Sequence, residues 1–269
     1  MKQNLSALWS LRRAIARREA RRPVRVCRYT LPGEGSLRLV HLTDLHLDDR
    51  TDWNALSRLV EQVNRQHPDV VVFTGDLVCH PEPFRQWKTA AEILRRIQAP
   101  CGVFAVRGNH DLFGAGQQAQ RLFEKSGFVL LKNQVARVQT PSGTPVVIGG
   151  LDDVYFQNLS DPSSLLCMRY AQGIRIVLVH EPTLAKKVPR GTADLILAGH
   201  SHAGQVYAPV VWRAWMTKKV GHYLQGFYNV HGMRLYVSAG LGESGPGFRL
   251  FCPRELTIFD FEQMRREHF

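Results

Sequence analysis

The chain has 269 residues, 44% of them hydrophobic, and a mean hydropathy of −0.20, which suits one well-buried α/β domain and excludes a membrane span, since no apolar run reaches the roughly 18 residues a spanning helix needs. Five scattered cysteines, Cys27, Cys79, Cys101, Cys167 and Cys252, form no C-x-x-C pair, so a disulfide framework and a zinc knuckle are excluded and reduced thiols in the cytoplasm are expected. A formal net charge of +12 favours an anionic partner, whether nucleic acid, phosphorylated metabolite or membrane surface.

At the amino end Arg12, Arg13, Arg17, Arg18, Arg21, Arg22, Arg25 and Arg28 crowd one segment, while Leu5, Leu8, Trp9, Ile15 and Ala16 fall near one face of a helix. Residues 1–36 are therefore expected to form a basic arm, either an interfacial helix resting on anionic lipid or a solvated extension. It is not a secretory signal, because arginines interrupt every stretch where an apolar h-region would lie. Residues 37–269 are expected to form a single domain.

From Pro32-Gly33 onward, strand-like and helix-like segments alternate. The run from Leu39 to Leu47 is apolar and ends in Asp44 and His46, two residues apart and so on one face of an extended chain. Leu56, Leu59, Val60 and Val63 keep helical spacing, with Thr51 or Asp52 as the cap. Asp69 to Phe73 reads as a buried strand running into Thr74-Gly75-Asp76. Phe84, Trp87, Ala91 and Leu94 mark a second helix. A strand from Gly102 to Val106 then ends in Arg107-Gly108-Asn109-His110-Asp111. The second half is richer in strands: 129–131, 136–139, 146–149, 174–179 ending at His180, 194–198 closing with Gly199-His200-Ser201-His202, then 234–238 and 255–261. This order implies two packed sheets with helices outside and loops aimed at one edge.

Each strand delivers a polar residue just past its end. Collected, these are Asp44, His46, Asp76, Asn109, His110, His180, His200 and His202. Carboxylate and amide oxygen mixed with imidazole nitrogen, without thiolate, suits Mn, Fe, Zn or Co rather than Ca or an iron–sulfur cluster. The set is too large for one ion. Two ions roughly 3.5–4 Å apart with a shared ligand would use it, and the usual task of such a pair is in-line displacement at phosphorus.

Asp44-x-His46, Gly75-Asp76, Gly108-Asn109-His110-Asp111, His180 and Gly199-His200-x-His202 resemble, in order, the five motifs of the calcineurin-like metallophosphoesterases, across Leu37 to Phe261. The resemblance implies a two-sheet α/β sandwich flanked by helices and a dinuclear centre, with Mn the expected metal. It assigns Asp44, His46, Asp76 and His202 to one ion and Asp76, Asn109, His180 and His200 to the other, with Asp76 bridging. It also implies hydrolysis of a phosphoester, with His110 protonating the leaving oxygen and Asp111 orienting it. The run from Gly199 to Gln205, with Gly240-Leu241-Gly242 and Cys252-Pro253, resembles the bacterial phosphodiesterase branch. That branch suggests a phosphodiester or pyrophosphate substrate such as UDP-2,3-diacylglucosamine, a lipid A precursor, met at the inner membrane surface.

A nuclease or cyclic-nucleotide phosphodiesterase is the alternative, which the charge also suits, and a scaffold that has lost catalysis is the third reading. The stretch from Val210 to Lys219, with Trp212, Trp215 and Met216 among Arg213, Lys218 and Lys219, either meets lipid or covers the core. His41 reads as a packed strand histidine. Arg107 and Arg249 read mainly as surface residues, and the roles of Asp152 and Asp153 stay open.

Overall fold

The computed structural model describes residues 23–79, 84–112, 116–153, 159–205, 222–244, 249 and 251–263. The arm through Arg22, His80 and the stretch from Val210 to Lys219 lie outside them. Among the described residues no helix is long and apolar enough to cross a membrane.

Two six-stranded sheets face each other. The first is built from β1 (Arg25–Gly33), β2 (Leu37–Leu42), β3 (Val70–Thr74), β4 (Val103–Val106), β5 (Val129–Leu130) and β12 (Glu255–Gln263), in the order β1-β12-β2-β3-β4-β5. The second contains β6 (Gln134–Gln139), β7 (Pro145–Gly150), β8 (Ile174–Leu178), β9 (Leu195–Ala198), β10 (Gly226–Val230) and β11 (Met233–Val237), in the order β10-β11-β9-β8-β7-β6. The central strands β2, β3 and β4 run parallel, as do β7, β8, β9 and β11.

Strand periodicity builds the layers. In β3, Val70 and Val72 point between the sheets, where they join Leu39, Phe104, Ile148, Ile176, Leu197 and Tyr236. Val71 and Phe73 point outward, into a layer shared with the helices. With both faces covered, the strand reads as an unbroken apolar run. Fully burying a side chain such as Phe73 contributes about 1.5–3 kcal/mol. The outer layer of the first sheet consists of α1 (Trp53–Asn64), α2 (Trp87–Leu94), the single turn α3 (Asn109–Leu112) and α4 (Gly116–Lys125). Leu56, Leu59, Val60 and Val63 bury the expected face of α1, and Asp52 caps it by accepting the amides of Asn54 and Ala55. The second sheet is covered outside by two 3-10 segments, Pro162–Met168 and Pro182–Lys187, through Leu165, Met168, Leu184 and Ala185.

The arm expected over residues 1–36 is corrected at its distal end, because residues 25–33 form β1 and pair in parallel with β12. Cys27 and Leu31 are buried while Val26, Arg28 and Thr30 are exposed. That period of two belongs to a half-buried edge strand, whereas the arginine count drew attention to the helical period. Arg28 and Arg38 both bond the Asp260 carboxylate on β12. Two further elements carried no clear sequence signal. The helix α4 is mostly polar and buries only Ala119, Leu122 and Phe123 among its described side chains, and β10 begins inside the aromatic-rich sequence from Gly204 to Tyr228, which carries no clear strand alternation.

Because the central strands are parallel, their carboxyl ends emerge along one edge, where open α/β sheets bind ligands. The residues following β2, β3, β4, β8 and β9 therefore converge there.

Candidate metal centre

Asp44, His46, Asp76, Asn109, His180 and His202 are all buried at this edge, and His200 is half-buried. Two groups of donor atoms form. In the first, His46 Nε2 lies 2.9 Å from His202 Nε2, 3.5 Å from Asp76 Oδ2 and 3.9 Å from Asp44 Oδ1, and His202 Nε2 lies 3.6 Å from Asp44 Oδ1. In the second, His180 Nε2 lies 3.3 Å from Asp76 Oδ2 and 3.1 Å from both Asn109 Oδ1 and His200 Nδ1, and His200 Nδ1 lies 3.0 Å from Asn109 Oδ1. Donors about 2.0–2.2 Å from one ion stand roughly 3.0–3.5 Å from each other. Most of these separations match that spacing, so the residues fit two cations with Asp76 Oδ2 in common. His46, Asp76 and His110 form a third close group.

The backbone departs from ordinary conformations to bring these donors together. Asp44, His46, Asp76, His200 and His202 all have positive φ, between 48° and 68°. Such non-glycine conformations cost on the order of 1–3 kcal/mol each and persist where surrounding bonds impose them. Here the turns after β2 and β3 continue to pair: Asp44 N donates to Gly75 O at 3.0 Å and His46 N to Asp76 O at 3.0 Å. Gly75, at φ 92°, has no room for a side chain, since a Cβ would stand 2.5 Å from the Gly108 amide nitrogen.

Burial and neighbouring charge set the protonation of the site. Burial lowers His46 to about 3 and His202 well below its usual value, which keeps both rings neutral, the form that ligates a cation. Burial raises Asp44 to about 6, with the Asp76 charge adding to it and His180 opposing. Burial also opposes charge on His180 and Asp76, but their mutual attraction wins, raising His180 to about 10 and holding Asp76 far below the carboxylate range. His180 Nδ1 donates to Thr74 O at 2.7 Å, which aims Nε2 into the site, where a bound cation would take the place of the Nε2 proton.

Asp111 does not orient His110. Its Oδ2 accepts the amides of Asp76 and Gly108 at 2.8 and 2.9 Å, and its Oδ1 those of Leu77 and Val78 at 2.8 and 3.1 Å. The carboxylate thus binds together the turns after β3 and β4. In the one-turn helix α3 its side chain reaches back to those turns. The orienting acceptor is instead the Cys79 carbonyl, which receives His110 Nδ1–H at 2.5 Å and leaves Nε2 to face the site. The His110 ring stands edge-on to His46, their centroids 4.8 Å apart, and its amide donates to Asp76 Oδ1 at 2.8 Å.

His41 is the packed strand histidine expected, buried with Nε2 2.8 Å from Thr74 Oγ1. Arg107 is only 12% exposed and forms a two-pronged ion pair with Asp152. Asp153 adds its charge to those that raise His180. Arg249, read mainly as a surface residue, is 1% exposed, with Nη2 3.2 Å from His202 Nδ1. Only its place in a glycine-rich run after the last strand of the second sheet hinted at this, and any surface arginine can sit in such a run.

A family model described as calcineurin-like phosphoesterase matches residues 37–204. The chain is 30% identical to the uncharacterized metallophosphoesterase YkuE of Bacillus subtilis (strain 168) over 84% of its length and 79% of the relative's. It is 29% identical to YkoQ of the same organism, over 85% and 84%. To a transmembrane protein with metallophosphoesterase domain from Danio rerio it is 32% identical, over 84% of this chain and 53% of that one. Among solved structures, the NAD nucleotidase of Haemophilus influenzae superposes with a TM-score of 0.52 at 15% identity, covering 77% of this chain and 45% of that chain, a likeness of fold.

Proposed function

This chain belongs to the calcineurin-like phosphoesterase family and is a metal-dependent phosphoester hydrolase, and on that premise we propose how its site works and what it cleaves. The observation that carries the reading is the position of Asp76 Oδ2, 3.5 Å from His46 Nε2 and 3.3 Å from His180 Nε2, common to both donor groups. Asp44, His46, Asp76 and His202 would hold one divalent ion and Asp76, Asn109, His180 and His200 the other. Mn is the proposed metal, and Fe, Zn or Co suit the same donors. When bound, such a pair supplies Lewis acidity toward phosphoryl oxygens and lowers the pKa of water to near 7.

The chain's own groups do the rest. Asp111 and Thr74 hold the turns and the His180 ring in place. His110, its Nδ1 committed to the Cys79 carbonyl, presents Nε2 toward the leaving oxygen as general acid.

For the substrate we propose a phosphodiester or pyrophosphate bond in an amphiphile such as UDP-2,3-diacylglucosamine. The net charge of +12 supports an anionic substrate or surface, and the basic residues before Val24 together with the aromatic stretch from Val210 to Lys219 are the segments that would meet an anionic membrane. The same charge suits a nuclease, so the test is a panel with Mn: the glycolipid in micelles, a cyclic nucleotide, single-stranded DNA and a phosphopeptide, beside co-sedimentation with anionic liposomes. Glycolipid hydrolysis with salt-sensitive liposome binding is the expected result. Cleavage of DNA alone, without liposome binding, would replace the lipid substrate with a nucleic acid while keeping the metal chemistry.

A further inference from the structure

Residues far along the chain, beyond the span of the family match, complete one side of the metal centre. After β11 the backbone lies against the Asp44 turn: Leu241 N donates to Thr43 O at 3.1 Å and Gly242 N to Asp44 O at 2.5 Å. A Cβ on Gly242 would stand 2.5 Å from the Leu45 carbonyl carbon and 2.7 Å from Asp44 O, so the approach requires glycine. Arg249 then ties this segment together beside the His202 ring. Its Nε and Nη2 donate to Gly242 O at 2.8 and 2.6 Å, and Nη1 donates to Ala239 O at 2.8 Å. Nη2 also lies 3.2 Å from His202 Nδ1, in contact with the ring. Three residues on, Cys252 Sγ donates to the His202 carbonyl at 3.0 Å.

Burying a guanidinium is unfavourable without compensation. Among the described residues no carboxylate stands within hydrogen-bond distance of this one, whose oxygen partners are two carbonyls of the segment that presses on Asp44. The other donor group is supported differently. His180 is backed by the Thr74 carbonyl, and the Asp76 turn is held by Asp111.

We propose that residues 239–242 together with Arg249 and Cys252, Arg249 being the central tie, are a positioning device for one cation only, the one met by Asp44, His46 and His202. This rests on the dinuclear reading above. The two ions should then be separable: loosening the tie weakens the first and spares the one met by Asn109, His180 and His200.

The test measures metal, not turnover. Purified protein is stripped, reloaded with Mn and titrated for stoichiometry and stepwise affinity, with folding followed by thermal melting. Wild type should hold two ions. Arg249→Met should hold one at unchanged affinity and the second at least about 10-fold more weakly, within the 10- to 100-fold range for lost outer support. Arg249→Lys should recover part of the loss. A gentler pair guards against misfolding of the arginine variants: Cys252→Ala should weaken the same ion and Cys252→Ser, which keeps a donor to the His202 carbonyl, should restore it. Combining Arg249→Met with His200→Ala should leave no tight ion, while combining it with His46→Ala should leave one. Two ions at wild-type affinity in both Arg249→Met and Cys252→Ala, or equal loss of both ions, would overturn the proposal. Fewer than two ions in wild type would instead remove the dinuclear reading beneath it.

Discussion

The two donor groups share Asp76 and rest on the same strand-end turns, yet differ in what is added to that support. Around Asn109, His180 and His200 the support comes from the ends of neighbouring strands: Thr74 closes β3 and its carbonyl holds His180, and Asp111, two residues past Asn109, gathers four amides of the adjoining turns. Around Asp44, His46 and His202 the strand-end pairing to Gly75 and Asp76 is joined by a return of the chain after β11, through Gly242, Arg249 and Cys252. The first kind of support is built when the sheet forms. The second lies in the connection between β11 and β12, outside the strands, so it is the side expected to yield first.

The most severe break removes what the groups share. Asp76→Ala should abolish binding of both ions and lower kcat/KM by at least about 10³-fold, more than any other single ligand change. Metal analysis and steady-state kinetics check it, and wild-type turnover would sink the bridge. Next comes His110, which stands outside both groups. His110→Ala should slow substrates with poor leaving groups by about 10²- to 10⁴-fold while spared metal content and a smaller loss on an activated aryl ester mark it as the acid. Equal losses on both esters would return it to a structural role.

Asp111→Asn sharpens the contrast between local and distant support. An amide cannot accept at both of its atoms, so buried N–H groups of the Asp76 and Gly108 turns would lose their acceptor, at about 1–3 kcal/mol each. Denaturant unfolding should register a loss of about 2–4 kcal/mol, with the ion at Asn109 and His180 weakened more than its neighbour. An unchanged midpoint with a changed leaving-group dependence would revive the pairing of Asp111 with His110.

The smallest effect lies behind Thr74, at His41. Burial depresses its pKa from the ordinary 6.5 to about 3, so between those values the unfolded chain binds a proton that the folded chain does not. Its contribution is fully present above pH 6.5 and is lost as pH falls toward 3, at up to about 1.4 kcal/mol per pH unit. Between pH 7 and 5 wild type should lose about 2 kcal/mol more than His41→Leu, measured by urea unfolding at both pH values. Parallel losses in the two proteins would show that His41 does not titrate on unfolding.

What the sequence determined by itself were the features set by neighbours along the chain. Apolar periodicity marked β3 and α1, because a two-sided strand and a one-sided helix leave different patterns in any window of residues. The residue types past Leu42, Phe73, Val106, Val179 and Ala198 announced a site with metal chemistry, since parallel strands put such positions on one edge. Only the tertiary structure decided how those residues are held. Asp111 stands next to His110 in sequence but bonds amides from a turn more than thirty residues earlier. Arg107 finds Asp152, Arg28 finds Asp260 across a β1–β12 pairing, and Arg249 is drawn inside by carbonyls at 239 and 242. A hydrogen-bonding group takes whichever partner the fold brings within about 3 Å, and that partner leaves no mark on the residues beside it in the chain.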